Sequence, residues 1–345
     1  MKIGKQAWLV SAALVAPAAV AQTANPVTLY GLVFGTVETV EAKGGAGPVS
    51  RRSRVEDHSS RFGIRGTEDL GAGLKGFFQF ETAFRIDSNN TTFAARNSGV
   101  GLQGRWGSLL MGRWDSPYKV AGYPADPWNL LTIAGYWNTV QDGGNFGRRP
   151  QNVVQYWTPT VAGFNARVAA TANEGKTASV NPRDLSAMVG WSRGPVVINV
   201  AWEEHKDQLG SVATAGSDEE GLMVAGSLTF GNTKLGYVAE EIKKTGRTKQ
   251  KNWYLSAKHT FGSGAVVGTI GNSRDGDLVA RAQPKSDTLS IAYEYRFSRR
   301  TSGHVMYARV ENNDVAVRNF PLIPLPSLGA GSDPRGISIG LLHLF

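Results

Sequence analysis

Ser59-Ser60-Arg61-Phe62-Gly63-Ile64-Arg65-Gly66-Thr67-Glu68-Asp69-Leu70-Gly71-Ala72-Gly73-Leu74-Lys75-Gly76 reads as two strands and the turn that joins them. Successive side chains of a strand point to opposite faces. Phe62 and Ile64 therefore share one face, taken as outward, and Arg61 and Arg65 share the other, taken as inward. The run from Glu68 to Gly73 has the acidic and glycine composition of a tight turn, and the returning strand begins at Lys75.

The same period of two recurs along the chain. Val27, Leu29, Gly31, Val33, Gly35 and Val37 alternate with Thr28, Tyr30, Thr36 and Glu38. Trp253, Leu255, Ala257 and Phe261 alternate with Tyr254, Ser256, Lys258 and Thr260, and Leu289, Ile291, Tyr293, Tyr295 and Phe297 with Ser290, Ala292, Glu294 and Arg296. The final strand sets Ile337, Ile339, Leu341, His343 and Phe345 on one side. Such strands suit a soluble sandwich or a membrane barrel, and the connections separate the two. Short ones near 68–74, 104–107, 193–195, 231–232, 262–264 and 298–301 alternate with longer polar ones near 41–58, 115–150, 173–183, 205–219, 274–285 and 312–332. Short turns on one rim and long loops on the other are the asymmetry of an outer-membrane barrel. The segments between them number sixteen, each about ten residues, a tilted strand's length for the hydrocarbon layer. The fold expected is all-β, a transmembrane antiparallel β-barrel of 16 strands, wide enough for an aqueous channel. The proline-dense segment Pro321 to Pro326 is read as a surface loop rather than a linker, because one more strand follows it.

The remaining composition agrees. Residues 1–21 carry a basic start (Lys2, Lys5), an apolar run from Ala7 to Val15 and a small-residue cleavage pattern, Ala19-Val20-Ala21. This is the pattern of a secretory signal peptide, leaving 22–345 as a single barrel domain. Beyond it no apolar run is long enough for a transmembrane helix, which leaves a closed barrel as the way to span a bilayer. With no cysteine, disulfides cannot staple the fold. The net charge is +9, falling to +7 once Lys2 and Lys5 are removed, a surplus that suits anionic lipid heads, nucleic acid or small anionic solutes.

The hairpin quoted above resembles that of the general porins of the beta-proteobacterial type, and the resemblance runs along the chain. Val27-Thr28-Leu29-Tyr30-Gly31 is similar to that family's first strand and Phe78-Gln79-Phe80-Glu81 to its third. Arg96 with Val100-Gly101-Leu102, and Gly107 through Gly112-Arg113, resemble the fourth and fifth. Asn152 to Tyr156 with Thr158-Pro159 and Gly163-Phe164 resembles the sixth and seventh, Tyr293-Glu294-Tyr295 with Ser298 to Thr301 the last hairpin, and Ile339 to Phe345 the closing strand.

The resemblance implies a homotrimer in the outer membrane of a Gram-negative bacterium, in contact with lipid and lipopolysaccharide. Its third long loop, here 115–150, would fold inward to narrow a lumen through which small hydrophilic solutes diffuse. An anion preference in this family goes with an arginine cluster at the narrowing, and position matching selects Arg61 and Arg96 on the wall and Arg148 and Arg149 at the loop's end. Before Asn152 this chain has Pro150-Gln151 where the family often carries an acidic residue. Phe345 matches the terminal aromatic read by the barrel-insertion machinery.

A fixed charge acts strongly on an ion that has shed water in a narrow, low-dielectric pore. Arginine keeps its charge at any relevant pH, and its planar fork suits carboxylate or phosphate. Each arginine also has an ordinary alternative, pairing with a nearby carboxylate or lying on a solvated rim. Arg65, Asp115, Asp126 and Asp142 are further candidates for the lumen, the three aspartates standing equally well as ordinary loop residues. Trp114, Tyr118, Tyr123, Trp128, Tyr136 and Trp137 are expected to pack the loop against the wall rather than to offer a sliding surface for ring-bearing solutes. Trp202, Trp253, Tyr293 and Phe297 suit interfacial girdles.

The rival readings are a substrate-specific channel for a small carboxylate or phosphate, and a barrel enzyme of the same membrane. An enzyme needs a histidine beside a nucleophile or carboxylate. Parity puts His259 and His343 on the lipid side, while His58 and His205 are assigned to long loops, so no catalytic constellation, metal-ligand spacing or cofactor motif emerges. A nucleic-acid partner would account for the charge but not for the export signal.

Overall fold

The computed structural model describes residues 27–89, 91–128, 132–247, 249–275, 283–320 and 322–345. The proposed signal peptide 1–21 lies outside them, as do Pro321 and residues 276–282 of the expected 274–285 loop. Sixteen antiparallel strands form one ladder: β1 Thr28–Lys43, β2 Val49–Gly71, β3 Leu74–Phe84, β4 Ser98–Gly104, β5 Gly107–Arg113, β6 Val153–Trp157, β7 Phe164–Thr171, β8 Arg183–Arg193, β9 Val196–Lys206, β10 Glu219–Phe230, β11 Thr233–Lys244, β12 Gln250–Phe261, β13 Gly264–Asp275, β14 Lys285–Arg296, β15 Thr301–Asn312 and β16 Asp333–Leu344. Strand β2 is interrupted at His58–Ser60 but keeps pairing with β1 on both sides of the break, Gly35 opposite Asp57 and Leu32 opposite Arg61. The barrel closes where β1 meets β16, from Leu32 opposite Leu344 to Lys43 opposite Asp333. The terminal residue extends this seam, Gly31 and Phe345 exchanging two backbone hydrogen bonds of 3.0 Å.

Alternation decides which face meets which medium. In β1, Phe34, Thr36, Glu38 and Val40 are buried inside while Val37 is exposed, and in β16 Ile337, Ile339 and Leu341 are exposed. Phe62 and Ile64 pair with Gly31 and Leu29 on the outer face, and Arg61 and Arg65 with Leu32 and Thr28 on the inner one, as the opening stretch predicts. The turn from β2 to β3 takes positive φ at three consecutive residues, Gly71 (87°), Ala72 (50°) and Gly73 (80°), which explains the paired glycines. His259 and His343 do point outward, each bonded to a neighbouring threonine, Thr233 at 2.8 Å and Thr301 at 2.9 Å.

Three expectations are corrected. The 41–58 segment is mostly strand: β1 continues to Lys43 and β2 starts at Val49, with Arg52, Arg54 and Glu56 sharing the inner face, where Arg54 pairs with Glu38 at 2.8 Å and Glu56 with Arg85 at 3.2 Å. His205 accordingly lies within β9, buried, and His58 sits at the break in β2, bonded to Glu38 at 2.7 Å. A long connection not anticipated from composition runs over 85–97, and the strands flanking the great loop, β4 to β7, are shorter than the rest. Residues 322–326 belong to loop 313–332, whose Phe320 and Leu325 are buried against the barrel mouth.

Candidate functional site

Between β5 and β6, the described residues 114–128 and 132–152 lie inside the barrel. The two ends of this loop are tied together, Ser116 N–H donating to the Arg148 carbonyl at 2.9 Å. Ser116 then caps a short helix, α1 Pro117–Ala121, by accepting from Lys119 N–H at 3.2 Å, with proline at the first turn where its missing N–H costs nothing. Carboxylates on the wall hold the rest. Glu240 accepts from the Tyr118 hydroxyl (2.8 Å) and from Gln141 N–H (2.9 Å), and Glu203 accepts from Gly147 N–H (3.0 Å). Ser256 donates to the Ala125 carbonyl at 2.6 Å and Asn199 to that of Ala121 at 2.9 Å. Tyr118, Tyr136, Val140 and Phe146 are fully buried against β8 to β12, while Trp128 and Ile133 pack with Val40, Met306 and Val310. Phe146 stacks on His205, ring centroids 4.6 Å apart, and His205 bridges Glu203 (2.9 Å) and Glu219 (3.1 Å). These aromatics and carboxylates line the loop against one side of the barrel, so the lumen is left along β2 to β7.

On that open side two carboxylates gather the basic groups. Asp115 contacts Lys119 Nζ at 3.0 Å and the Arg149 guanidinium at 2.8 Å, and accepts from Asn97 Nδ2 (3.0 Å) and the Tyr123 hydroxyl (3.1 Å). Burial alone would raise its carboxyl, but the charges of Lys119 and Arg149 hold it well below the usual carboxylate range. Burial acts oppositely on Lys119, lowering it to about 8 even beside Asp115. The Tyr123 hydroxyl is pushed far up, by burial first and by Asp115 second. Glu81, on β3, accepts from Arg96 Nε at 2.6 Å and from the Tyr30 hydroxyl at 3.1 Å, with Arg61 Nε 3.9 Å away. Arg61, Arg96 and Arg149 lie close enough to act on one another electrostatically. Four cations, Arg61, Arg96, Lys119 and Arg149, thus face two carboxylates, Glu81 and Asp115.

Of the residues singled out in the sequence, Arg61, Arg96 and Arg149 come together, Arg96 from the end of loop 85–97 rather than from the strand wall. Arg148 does not join them. It turns to Asp184 (2.9 Å) and Gln208 (3.3 Å), because neighbours in extended backbone point in opposite directions. Arg65 lies over the Tyr30 ring, 5.0 Å from its centroid. Asp115 is in the cluster, whereas Asp126 accepts from Trp128 N–H at 2.9 Å and Asp142 pairs with Lys244 on β11. Glu81, Asn97, Lys119 and Arg167 were not singled out. Parity with Gln79 could have placed Glu81 inside, but no spacing brings Lys119 to Asp115. Towards the long loops the cluster opens into a cavity of about 540 Å³ lined by Arg113, Lys119, Arg148, Arg149 and Asp184.

The family profile described as "Gram-negative porin" matches residues 7–315. The chain belongs to the Gram-negative porin family. Outer membrane porin protein 32 of Delftia acidovorans is 27% identical to this porin over 360 residues, covering 98% of this chain and 99% of that one. Major outer membrane protein P.IB of Neisseria meningitidis serogroup B is 28% identical, covering 81% and 86%. Among solved structures, the anion-selective porin from Comamonas acidovorans superposes with a TM-score of 0.77 at 25% identity, over 93% of this chain and all of that one. OmpF of Salmonella typhi shares the fold, with a TM-score of 0.71 at 15% identity over 93% and 98%. This porin is an outer-membrane channel: a closed barrel whose polar lumen is narrowed, and not filled, by loop 114–152.

Proposed function

We propose that this porin passes small hydrophilic solutes by diffusion with a preference for anions, and that Arg61, Arg96, Arg149 and Lys119 form the selective constriction. The excess of four cations over two carboxylates at the open side of the loop carries the reading. Held in a narrow, partly desolvated passage, that excess lowers the barrier for an anion and raises it for a cation. Glu81 and Asp115 act as scaffolds, fixing the guanidiniums in place without neutralising them all. Arg148 and Arg65 extend the positive potential to either side, and Asp142 belongs to the opposite wall. The likeness to the Comamonas anion-selective porin supports the same sign.

The mature porin, 22–345, acts as a homotrimer in this reading, its outward apolar band facing lipid and sister barrels, with Phe345 read during insertion. Planar-bilayer recording in a KCl gradient tests the selectivity. Wild type should give a zero-current potential of anion-selective sign. Arg61→Gln with Arg96→Gln and Arg149→Gln should bring it close to zero. Heat-modifiable trimers in detergent test the assembly, and a stable monomer would contradict it.

A further inference from the structure

On the short-turn side of the charged cluster the lumen holds a cavity of about 460 Å³, lined by Arg65, Phe77, Gln79, Trp114 and Trp157, a size typical of small-molecule clefts. It combines two kinds of surface that the constriction keeps apart. One is aromatic: the Trp114 and Trp157 rings lie 5.7 Å apart at 58°, with Phe77 lining the same space. The Trp157 indole is fixed by donating Nε1–H to Gln155 at 3.1 Å. The other is cationic. Arg65, in the lining, lies 5.0 Å from the ring centroid of Tyr30, itself anchored on Glu81, and Arg167, outside the lining, has its guanidinium 4.8 Å from the Trp157 ring centroid. Neither Arg65 nor Arg167 forms an ion pair with a described carboxylate, unlike Arg61, Arg96 and Arg149. Arg65 is exposed to the lumen.

We propose that this cavity is a subsite for aromatic carboxylates, a flat ring settling on Trp114 and Trp157 while its carboxylate meets Arg65, with Arg167, stacked on Trp157, adding to the positive field. The inference rests on the anion-channel reading and adds a solute class to it. Guanidiniums already laid over rings are held flat and partly dehydrated, so they lose little freedom on meeting a carboxylate. A planar ring gains stacking that a saturated ring of the same size does not. An acid leaving the constriction would pause here before reaching the open short-turn rim.

Bilayer recording on the full-length channel tests this with benzoate and cyclohexanecarboxylate, which match in charge and carbon number. Benzoate should produce transient current blocks at roughly tenfold lower concentration than cyclohexanecarboxylate. Arg65→Gln and Trp157→Leu should each weaken the benzoate block about tenfold, and Trp157→Phe should retain it, with the KCl zero-current potential of the two Trp157 variants still anion-selective. If Trp157→Leu does not fold, Arg65→Gln and Trp157→Phe carry the test. Equal block by the two acids, or benzoate block untouched by Arg65→Gln, overturns the subsite while leaving the anion channel intact. A cation-selective wild type would overturn the underlying reading instead.

Discussion

Lys119 holds three neighbours at once: Asp115 at 3.0 Å, the Trp137 ring 5.0 Å from its Nζ, and the field of Arg149. A free lysine titrates near 10.4, and burial brings this one to about 8. Below about pH 8 the lumen carries this positive charge, and above it the charge is lost while Asp115, far below its usual range, stays ionised. Anion preference should therefore weaken as pH rises from 7 to 9, and Lys119→Met should start weaker and stay flat, both read from the zero-current potential. Between about 8 and 10.4 the unfolded chain holds a proton that the folded one has shed, so this group makes stability rise with pH in that window. Strand residues were legible at this scale because parity alone aims Arg61 and Arg65 inward. Arg148 and Arg149 were not separable, since an irregular loop offers no period to say which neighbour faces the lumen. Gly31 shows the limit from another side. A Cβ there would meet the Arg61 carbonyl at 2.5 Å and the Phe345 ring at 2.4 Å, so Gly31→Val should slow barrel closure, seen as a smaller heat-modifiable fraction on refolding.

Loop 114–152 is the element on which the channel's width depends, and its position is set by wall carboxylates more than by its own regularity. Glu240 alone satisfies the Tyr118 hydroxyl and Gln141 N–H in a buried place. Glu240→Leu would leave these donors without a partner at about 1–3 kcal/mol each, and Phe146→Ala would open a cavity beside His205 at about 3–5 kcal/mol. Either change should loosen the loop and appear as flickering, higher single-channel conductance with the barrel still formed. Unchanged, quiet conductance in both variants would show that the loop is held by other contacts. The sequence marks this loop well, by length and by crowding of aromatics, of which Tyr118, Trp128 and Tyr136 are buried against the wall while Trp114 lines the lumen. It could not show which strands receive it, because Glu240 and Glu203 lie 122 and 56 residues from the Tyr118 and Gly147 groups they bind and reach them only when the barrel closes. The 41–58 segment misled for a plainer reason: charged residues on both faces look like loop, yet a strand that leaves the hydrocarbon layer needs no apolar side.

At the scale of the whole molecule, closure between β1 and β16 leaves no strand edge for lipid to meet. The outer surface is apolar where Val37, Ile291, Ile339 and Leu341 stand exposed, and the inner one is polar. This inversion of an ordinary soluble core is what alternation over many strands encodes, and it made the architecture readable from the sequence. Net charge was a weaker guide, since +9 sums rims, loops and lumen together, whereas permeation depends on the few charges at the narrowest point. The most direct measurement is the zero-current potential of the wild-type channel and of the Arg61→Gln, Arg96→Gln, Arg149→Gln triple variant, in planar bilayers under one KCl gradient at pH 7. The account predicts an anion-selective potential for the wild type that collapses toward zero in the variant. A cation-selective wild type, or a variant with its anion selectivity intact, would contradict it.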